Sequence, residues 1–460
     1  ETSGFFLNTD DAVVNASSTL GNSGTWLLDP FDITIASSGA TGTTYSSTFV
    51  AGLTSTILAS SIEASLNGNT NVSITTADGS ITFTTGIAKT GNNTSSLTLS
   101  AYVNVALGAN SITSSTNTLP LTITATTGSF TGSGNLTLLG GALSITQATA
   151  GTYSGIISGT GTTLTKAGAG TLTLGVANTY TGLTTVSAGS LTYGIANTIS
   201  SGDVTVNGST AILNLVTFAD TVGAVTLTEG SITSTTGVLT GTSYTLNPAT
   251  GKTVTVSAIL AGAVNLTKSD LGTANLSGVN TYSGTTTINA SGGTLAITGA
   301  GQLNSGSYAG TIAIGSGSTF AYSSSATQTL SGIISGAGTF TKDTGSSSSL
   351  TLTNTNTYTG GTNANAGTLP IGRGGTGTTT FISGRLLYGD GVNPLAQSAN
   401  LTWNNTNNTL NTTNVNSSAY FINGSPFTPY TLPTANAATL GGIKVGNNLS
   451  IDGNGVLSAT

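Results

Sequence analysis

The segments GTLTLGVANTYTG at residues 170–182, GTANLSGVNTYSG at 272–284 and LTLTNTNTYTGG at 350–361 are three variants of one pattern. In each, a short stretch of apolar residues alternates with small polar residues and leads into an Asn-Thr-Tyr corner. An alternation with a period of two predicts a strand with one inward and one outward face. None of the segments carries a charged side chain. We therefore interpret the pattern as a structural unit and not as a chemical site.

The neighbourhood of these segments repeats as well. A lone lysine precedes each copy, at Lys166, Lys268 and Lys342, and the string Gly-Ile-Ile-Ser-Gly occurs at 155–159 and again at 332–336. The corner tyrosines are unevenly spaced along the chain: Tyr180, Tyr282 and Tyr358. The intervening coils must therefore differ in length.

Short alternating strands and Gly or Asn turns recur along most of the chain, and we expect almost no helix. With this self-similarity, the strands predict an all-β fold, a right-handed parallel β-helix (β-solenoid) with an irregular C-terminal β segment. Four of the eight prolines, which lack a ladder donor, lie in that last segment between Pro394 and Pro433. At roughly 20–25 residues a coil, the chain would make about 20 coils, stacked about 4.8 Å apart.

The composition excludes several classes of function. Charged residues make up 5% of the 460 residues, whereas ordinary soluble proteins have roughly 25%. Because Cys, Met and His are absent, there is no disulfide, no thiol or imidazole metal ligand and no Cys-His or Ser-His catalytic pair. The net charge is −6 and the eight basic residues are scattered, so we expect no nucleic-acid partner. No apolar run is long enough to predict a membrane span.

The chain begins at Glu1 without an initiator methionine. We expect Glu1 to follow a removed leader, and a secreted, extracellular or cell-surface protein is the predicted localisation.

The repeats resemble the passenger-associated β-strand repeat of bacterial autotransporters, over Lys166–Gly194, Lys268–Gly299 and Lys342–Leu369. In that family a strand is followed by the N-T-Y-[ST]-G corner and then by T-T-x-[IVN]-x-A-G-[ST]-L. This sequence has TYTGLTTVSAGSL, TYSGTTTINASGGTL and TYTGGTNANAGTL. The resemblance implies an exported β-helical stalk for residues 126–370.

The two ends of the chain resemble other exported or fibrous proteins. Residues 1–125, with the phrase GTWLLDPFDITI at 24–35, are similar to filamentous-haemagglutinin-type exoproteins of two-partner secretion. Residues 371–460, with RGGTG at 373–377 and LPTANAATLGGIKV at 432–445, resemble segments of phage tail fibres. We expect the last segment to act as a cap or a subunit-docking region.

Few residues are candidates for chemistry. Asp29 and Asp32 flank Pro30 and Phe31 and could act as an acid and a base on a sugar, but a polar turn at a coil edge is the favoured interpretation. Asp452–Gly455 lacks the ligand count of a calcium loop. The glycine-rich run 372–377 lacks the Lys-Ser/Thr and the helix of a phosphate-binding loop. We therefore predict no catalytic, cofactor-binding or metal-binding residue and no cofactor.

Aromatic residues and sequons allow two interpretations each. The corner tyrosines either cover the coil corners, which we favour, or form a sugar-binding stripe. Trp26 and Trp403 either cover open ends of the core or contact a partner. The many Asn-x-Ser/Thr sequons, such as those at Asn71 and Asn135, are expected from the composition alone.

These observations predict a non-enzymatic extracellular structural or adhesive protein. Because a solenoid end exposes unpaired strand edges and guarding charge is scarce, we predict end-to-end association of subunits into a surface fibre, with the C-terminal segment at the contact. Two alternatives stay open. One is a monomeric adhesin stalk that binds host or cell-surface glycans, and the other is a phage tail-fibre component. A polysaccharide-cleaving enzyme is the least favoured interpretation.

Overall fold

The structure, a computed structural model, describes residues 2–3, 25–29, 32–38, 54–343 and 348–365. Beyond residue 365 it describes only short strands and single turn positions between 385 and 459. The chain divides into two compact units, residues 1–375 and residues 376–460.

The first unit is a parallel β-solenoid of about 14 turns, which confirms the predicted fold class. Its longest sheet, here called the long face, has 15 parallel strands in chain order. They are Thr2–Ser3, Thr25–Asp29, Asn71–Thr75, Leu97–Ala101, Leu121–Ala125, Ala142–Gln147, Thr163–Ala167, Thr184–Val186, Val204–Val206, Ala224–Leu227, Ser243–Leu246, Leu266–Lys268, Thr286–Ile288, Ile312–Ile314 and Ile334–Ser335.

A second face consists of a five-stranded and an eleven-stranded sheet, which a bridge between Gly132 and Tyr153 joins. The first sheet contains Thr54–Leu58, Asp32–Ala36, Ile81–Phe83, Val105–Ala106 and Phe130–Thr131. The other contains Gly151–Tyr153, Thr171–Leu174, Ser190–Tyr193, Ile212–Asn214, Ser231–Thr233, Thr253–Val256, Thr273–Leu276, Thr294–Gly299, Thr319–Ser324, Thr339–Lys342 and Thr362–Ala364.

The third face is interrupted and consists of three short sheets. Its strands are Ile87–Lys89, Ile112–Ser114, Leu136–Thr137 and Ile157–Ser158, then Asp220–Thr221, Val238–Thr240 and Ile259–Ala261, and finally Ser307–Tyr308, Gln328–Leu330 and Leu350–Leu352. Between Ile157–Ser158 and Asp220–Thr221, two successive coils cross this face without a strand. Side-chain hydrogen bonds replace the missing ladder there, as described below.

The strand register sets the size of a coil. From Val72 onward, the shortest step between paired residues on the long face joins Val225 to Tyr244, and the longest joins Thr286 to Ile312. The predicted coil size is therefore close to the observed one, but the predicted count of about 20 coils is wrong, because the turns number about 14. That count assumed coils along the whole chain, whereas the described strands of the second unit are antiparallel.

The core is a column of inward residues stacked coil upon coil. Inward positions alternate with outward ones along each strand, so that Leu121 and Ile123 are buried between the Leu97–Leu99 pair of one coil and the Leu143–Ile145 pair of the next. Burying apolar area in this way stabilises the solenoid by about 25 cal/mol per Å².

One α-helix, α1 (Ala59–Asn67), lies in the first coils and was not predicted from the sequence. Ile62 and Leu66, spaced four residues apart, face the core. The Glu63 side chain accepts a hydrogen bond from the Ala88 N–H at 2.7 Å, and Asn67 accepts from Thr90 and Gly91. The helix thus pairs with Ile87–Lys89, which is the first strand of the third face, and covers the free edge of that strand. A short 3-10 helix, Asn304–Gly306, also occurs.

The described strands of the second unit are antiparallel, in agreement with the predicted irregular C-terminal β segment. Arg385–Tyr388, Ala396–Asn404 and Thr409–Thr412 form one sheet. Three hairpin pairs follow: Tyr420–Ile422 with Ser425–Phe427, Thr439–Leu440 with Ile443–Lys444, and Leu449–Ile451 with Leu457–Ala459.

Candidate functional site

The asparagine of each repeated corner replaces a missing rung of the backbone ladder. Its side-chain oxygen accepts a hydrogen bond from a backbone N–H of the preceding coil: Asn178 from Ile157 (2.8 Å), Asn280 from Leu260 (3.0 Å) and Asn356 from Ile334 (2.8 Å). The amide groups of Asn178 and Asn280 also donate to carbonyl oxygens of the following coil, at Thr198 and Gln302. One amide side chain therefore links three coils where no strand is present.

The corner tyrosine is fixed by a hydroxyl pair four residues apart in every copy. The paired oxygens are those of Tyr180 and Thr184 (2.6 Å), Tyr282 and Thr286 (2.9 Å), and Tyr358 and Thr362 (2.7 Å). Tyr180 and Tyr282 are completely buried. Buried rings cannot stack on a sugar, so the sugar-stripe interpretation is wrong for these two, and the corner interpretation holds.

The glycine that follows the tyrosine lies against the backbone of the preceding coil. A Cβ atom would lie 2.4 Å from the Thr162 oxygen at Gly182, 2.3 Å from the Val264 oxygen at Gly284 and 2.1 Å from the Gly338 oxygen at Gly360. Atoms do not approach that closely, so only glycine fits at this point of the corner. In the N-T-Y-x-G string, the asparagine thus links coils, the tyrosine is the buried ring and the glycine allows the close approach.

The lysines that precede the first two copies are buried and act as donors inside the turn. The Nζ atom of Lys166 donates to Ala167, Gly168 and Ala188, and that of Lys268 to Ser269, Asp270 and Gly292, all backbone oxygens at 2.6 to 3.1 Å. An ammonium has three protons, which matches the three acceptors. Burial lowers the pKa of both lysines to about 8.

The third copy lies one face further round the solenoid than the first two. Lys166 and Lys268 lie on strands of the long face, whereas Lys342 ends a strand of the second face. The corner of the third copy likewise pairs with Ile334 of the long face. The chain between Tyr282 and Tyr358 therefore makes three coils and one additional face. The rotated corner keeps the hydrogen bond to its asparagine, the Tyr-Thr hydroxyl pair and the close approach of the glycine.

An acid occupies the same kind of corner in one coil. Asp220 is 3% exposed and accepts hydrogen bonds from the backbone N–H of Ile199 in the preceding coil (3.1 Å) and from its neighbour Thr221 (2.8 Å). Burial raises the pKa of Asp220 to about 6, although the backbone hydrogen bonds favour the carboxylate. Asp220 was not among the residues predicted from the sequence. The Ala-Asn-Thr string at 196–198, one coil earlier, resembles the repeated corners and could have indicated a corner at Asp220.

The structure places the weighed acids in structural roles or leaves them undescribed. The Asp32 carboxylate accepts a hydrogen bond from the Ser80 N–H of a later coil at 2.6 Å, which is a structural contact between coils. The side chain of Asp29 lies outside the described residues, as do Asp452 and the run 372–377. The prediction that the chain has no catalytic or cofactor site stays a prediction. In the described part of the chain, no three His, Cys, Asp or Glu side chains come together as a group that could hold a metal.

The tryptophans give no support for covered core ends. Trp403 lies on Ala396–Asn404 and is 42% exposed, and the side chain of Trp26 is not among those described. Within the described ranges, no helix is long and apolar enough to cross a membrane.

The two described ends of the solenoid differ. At the beginning, α1 covers the edge of the third face. At the other end, Thr362–Ala364 is the last described strand of the second face and all three of its residues are exposed. Tyr358, in the same coil, is only partly buried and its ring packs against Phe340 at 5.9 Å between centroids. The last described coil therefore has an exposed strand and a partly exposed aromatic ring.

Comparison with known proteins gives one family. Residues 164–192, 266–297 and 346–371 match the model described as PATR, Passenger-associated-transport-repeat. No curated protein and no solved structure is significantly similar to the chain. The haemagglutinin-like and tail-fibre-like resemblances of residues 1–125 and 371–460, and the domain limits drawn from them, therefore stay predictions.

The three matched segments contain the three corners whose contacts are described above. Repeats of this type imply export to the cell surface or the medium. Over these segments the chain is similar to autotransporter passengers, and its parallel β-solenoid fits a passenger domain.

Proposed function

We propose that this protein is a non-enzymatic, extracellular structural or adhesive protein whose solenoids associate end to end into a surface fibre. The observation that carries the proposal is the exposed last coil, Leu350–Ala364. There, Tyr358 is partly exposed, whereas its counterparts Tyr180 and Tyr282 are completely buried.

The interior copies indicate what a following coil supplies. Tyr282 packs edge-to-face on Tyr308 of the next coil, with ring centroids 5.8 Å apart, and the Tyr308 hydroxyl lies 2.8 Å from that of Thr286. A second subunit that stacks its own strands on Thr362–Ala364 would give Tyr358 and this edge the same kind of cover. Strand addition to a free edge is a common mode of protein association. Because described charges near this edge are few, little repulsion opposes it.

The C-terminal segment, residues 371–460, supplies the other half of the contact in this proposal. Its described strands are short antiparallel pairs and not solenoid coils. A short strand of this kind can dock on, or add to, the open edge of a neighbouring subunit.

Electron microscopy of the purified full chain tests the proposal. We expect fibres for the parent and short rods for Asn363→Lys, because a charge on an edge strand opposes strand addition. Thr250→Lys adds the same charge to an exposed turn away from both ends and should assemble like the parent. Dispersed single rods of the parent at high concentration, or fibres of Asn363→Lys as long as those of the parent, would contradict end-to-end assembly.

A second candidate function is a single adhesive stalk that binds glycans along its side. The observation that favours it is a column of hydroxyl side chains in register on the outward side of the long face. Its members are Ser73, Thr98, Thr122, Ser144, Thr165, Thr185, Thr205, Thr226, Thr245, Thr267 and Thr287. Binding of the monomeric rod to immobilised polysaccharide, and its loss when Thr205 and Thr226 are changed to Lys, would favour this function.

The non-enzymatic part of the proposal has its own test. Incubation of the protein with a panel of polysaccharides should release no reducing ends above the level of a heat-treated sample. Sustained release, abolished by a substitution at one of the acids, would show a hydrolytic activity.

A further inference from the structure

The coil at residues 195–221 differs from the other corners in its chemistry. Asn178 and Asn280 fill their corners with a neutral amide, which accepts from one coil and donates to the next. Asp220 makes the first of these two contacts, because its carboxyl oxygen accepts a hydrogen bond from the Ile199 N–H of the preceding coil. A carboxylate has no proton to donate, whereas a protonated carboxyl has one. Protonation therefore makes Asp220 resemble the amides of the other corners.

The surroundings of Asp220 supply hydrogen-bond donors but, among the described groups, no cation. The titratable groups that face it are Tyr193 on the second face and Tyr180 in the preceding corner, and both are buried and neutral at ordinary pH. The Tyr193 hydroxyl faces the Asp220 carboxyl and donates to it, which lowers the pKa of Asp220, but burial has the larger effect and the pKa is raised. The ion pair between Lys252 and Glu229 does not involve Asp220. Among the described groups that face it, an ionised Asp220 thus finds no cation.

The third face is interrupted at this coil. Residues 195–200 cross the face without a strand, and the face resumes at Asp220–Thr221. Asp220 lines an open groove there, with Asn197, Ser200 and Ser201. Because the groove is open to solvent, the carboxyl group can exchange its proton with the solution.

We propose that Asp220 makes the stacking of residues 195–221 depend on pH: the coil is closed when the carboxyl is protonated and opens locally when it is ionised. The inference does not depend on fibre formation, since it concerns a coil in the middle of the solenoid.

The direction of the pH dependence follows from the proton affinity of Asp220 in the closed and open coil. In the closed coil Asp220 has a pKa of about 6, whereas an exposed aspartate has about 3.9, so the closed form holds its proton more tightly. Opening therefore releases a proton between these pH values and becomes more favourable as the pH rises. From pH 4.5 to pH 7.5, the equilibrium constant for opening should rise roughly 20-fold.

Hydrogen exchange of the full chain tests the proposal, with protection factors corrected for the intrinsic pH dependence of exchange. The Ile199 amide should lose roughly 20-fold in protection between pH 4.5 and 7.5. The Ile157 amide, bound to Asn178 in the matched corner, should not change. This internal control is present in the unaltered protein.

Two variants complete the test. Asp220→Asn should remove the pH dependence at Ile199. Asp203→Asn, which alters a neighbouring acid that accepts from Ala224 at the surface, should keep it. Parallel changes at Ile199 and Ile157 in the parent, or an undiminished pH dependence in Asp220→Asn, would overturn the proposal.

Discussion

The side-chain oxygen of Asn280 lies 3.0 Å from the backbone nitrogen of Leu260, one coil earlier in the chain. A side chain thus completes a backbone ladder between two coils at a corner where no strand forms. Asn178 and Asn356 make the same contact. Each repeat is therefore characterised by a hydrogen bond from a backbone N–H of the preceding coil to the corner asparagine.

Replacing Asn280 with alanine should therefore destabilise the solenoid. The change leaves the Leu260 N–H and the Gln302 oxygen without this partner, and a buried unpaired group costs about 1–3 kcal/mol. Thermal unfolding followed by circular dichroism measures the loss. Asn289→Ala removes an exposed asparagine of the same region and should change the midpoint little.

The adjacent glycines 360 and 361 provide a matched pair. Gly360→Ala forces a Cβ to within 2.1 Å of the Gly338 oxygen and should cost about 1–3 kcal/mol, whereas Gly361→Ala meets nothing within 4 Å. Limited proteolysis at the last coil reports the difference. Equal resistance of the two variants would contradict the close approach seen at this corner.

Removal of the Tyr282 hydroxyl measures the contribution of the hydroxyl pair to stability separately from that of the packed ring. Tyr282→Phe keeps the buried ring but leaves Thr286 with one partner fewer, and we expect a loss of about 1 kcal/mol. Tyr102→Phe, at a ring that is 42% exposed, is the control. The unfolding midpoints of the two variants give the comparison.

The buried lysines predict a rise of stability at alkaline pH. The pKa of Lys166 and Lys268 is about 8 in the folded protein, below the unfolded value of about 10.4, so above pH 8 the unfolded chain binds more protons. Stability should then increase from pH 8 to about pH 9.5, before tyrosines ionise in the unfolded chain. The double variant Lys166→Met/Lys268→Met should have a flatter pH profile.

Lys252→Met is the control for that experiment. Lys252 is half exposed and paired with Glu229 at 3.2 Å, so its removal should leave the slope between pH 8 and 9.5 unchanged. A parent whose midpoint falls over this range would contradict the assignment.

The periodicity of the sequence was sufficient to predict the parallel solenoid, because strands of period two and repeated corners restrict the possible folds. It also located the three repeats and indicated the corner role of Tyr180 and Tyr282. The roles of Lys166 and Lys268 were not predicted, since nothing in the local pattern shows that these charges turn inward. An inward lysine is tolerated because backbone carbonyl oxygens surround the Nζ atom.

Other features depend on contacts between distant coils and could not be inferred locally. Helix α1 has an apolar spacing of four at Ile62 and Leu66, but it is only nine residues long and lies in a region dominated by strands. The rotation of the third repeat depends on the summed lengths of the coils between Tyr282 and Tyr358. The pKa of Asp220 follows from its burial, which no residue next to it in the sequence indicates.

The one-face rotation of the third repeat has a consequence for how such a chain can change. The hydrogen bond from the preceding coil to the corner asparagine forms on either face, so an insertion of about a third of a turn keeps this contact. The corner that follows then lies on the next face of the solenoid. Small changes in coil length thus decide which face of the solenoid carries a repeat, while the stacking of the strands is kept.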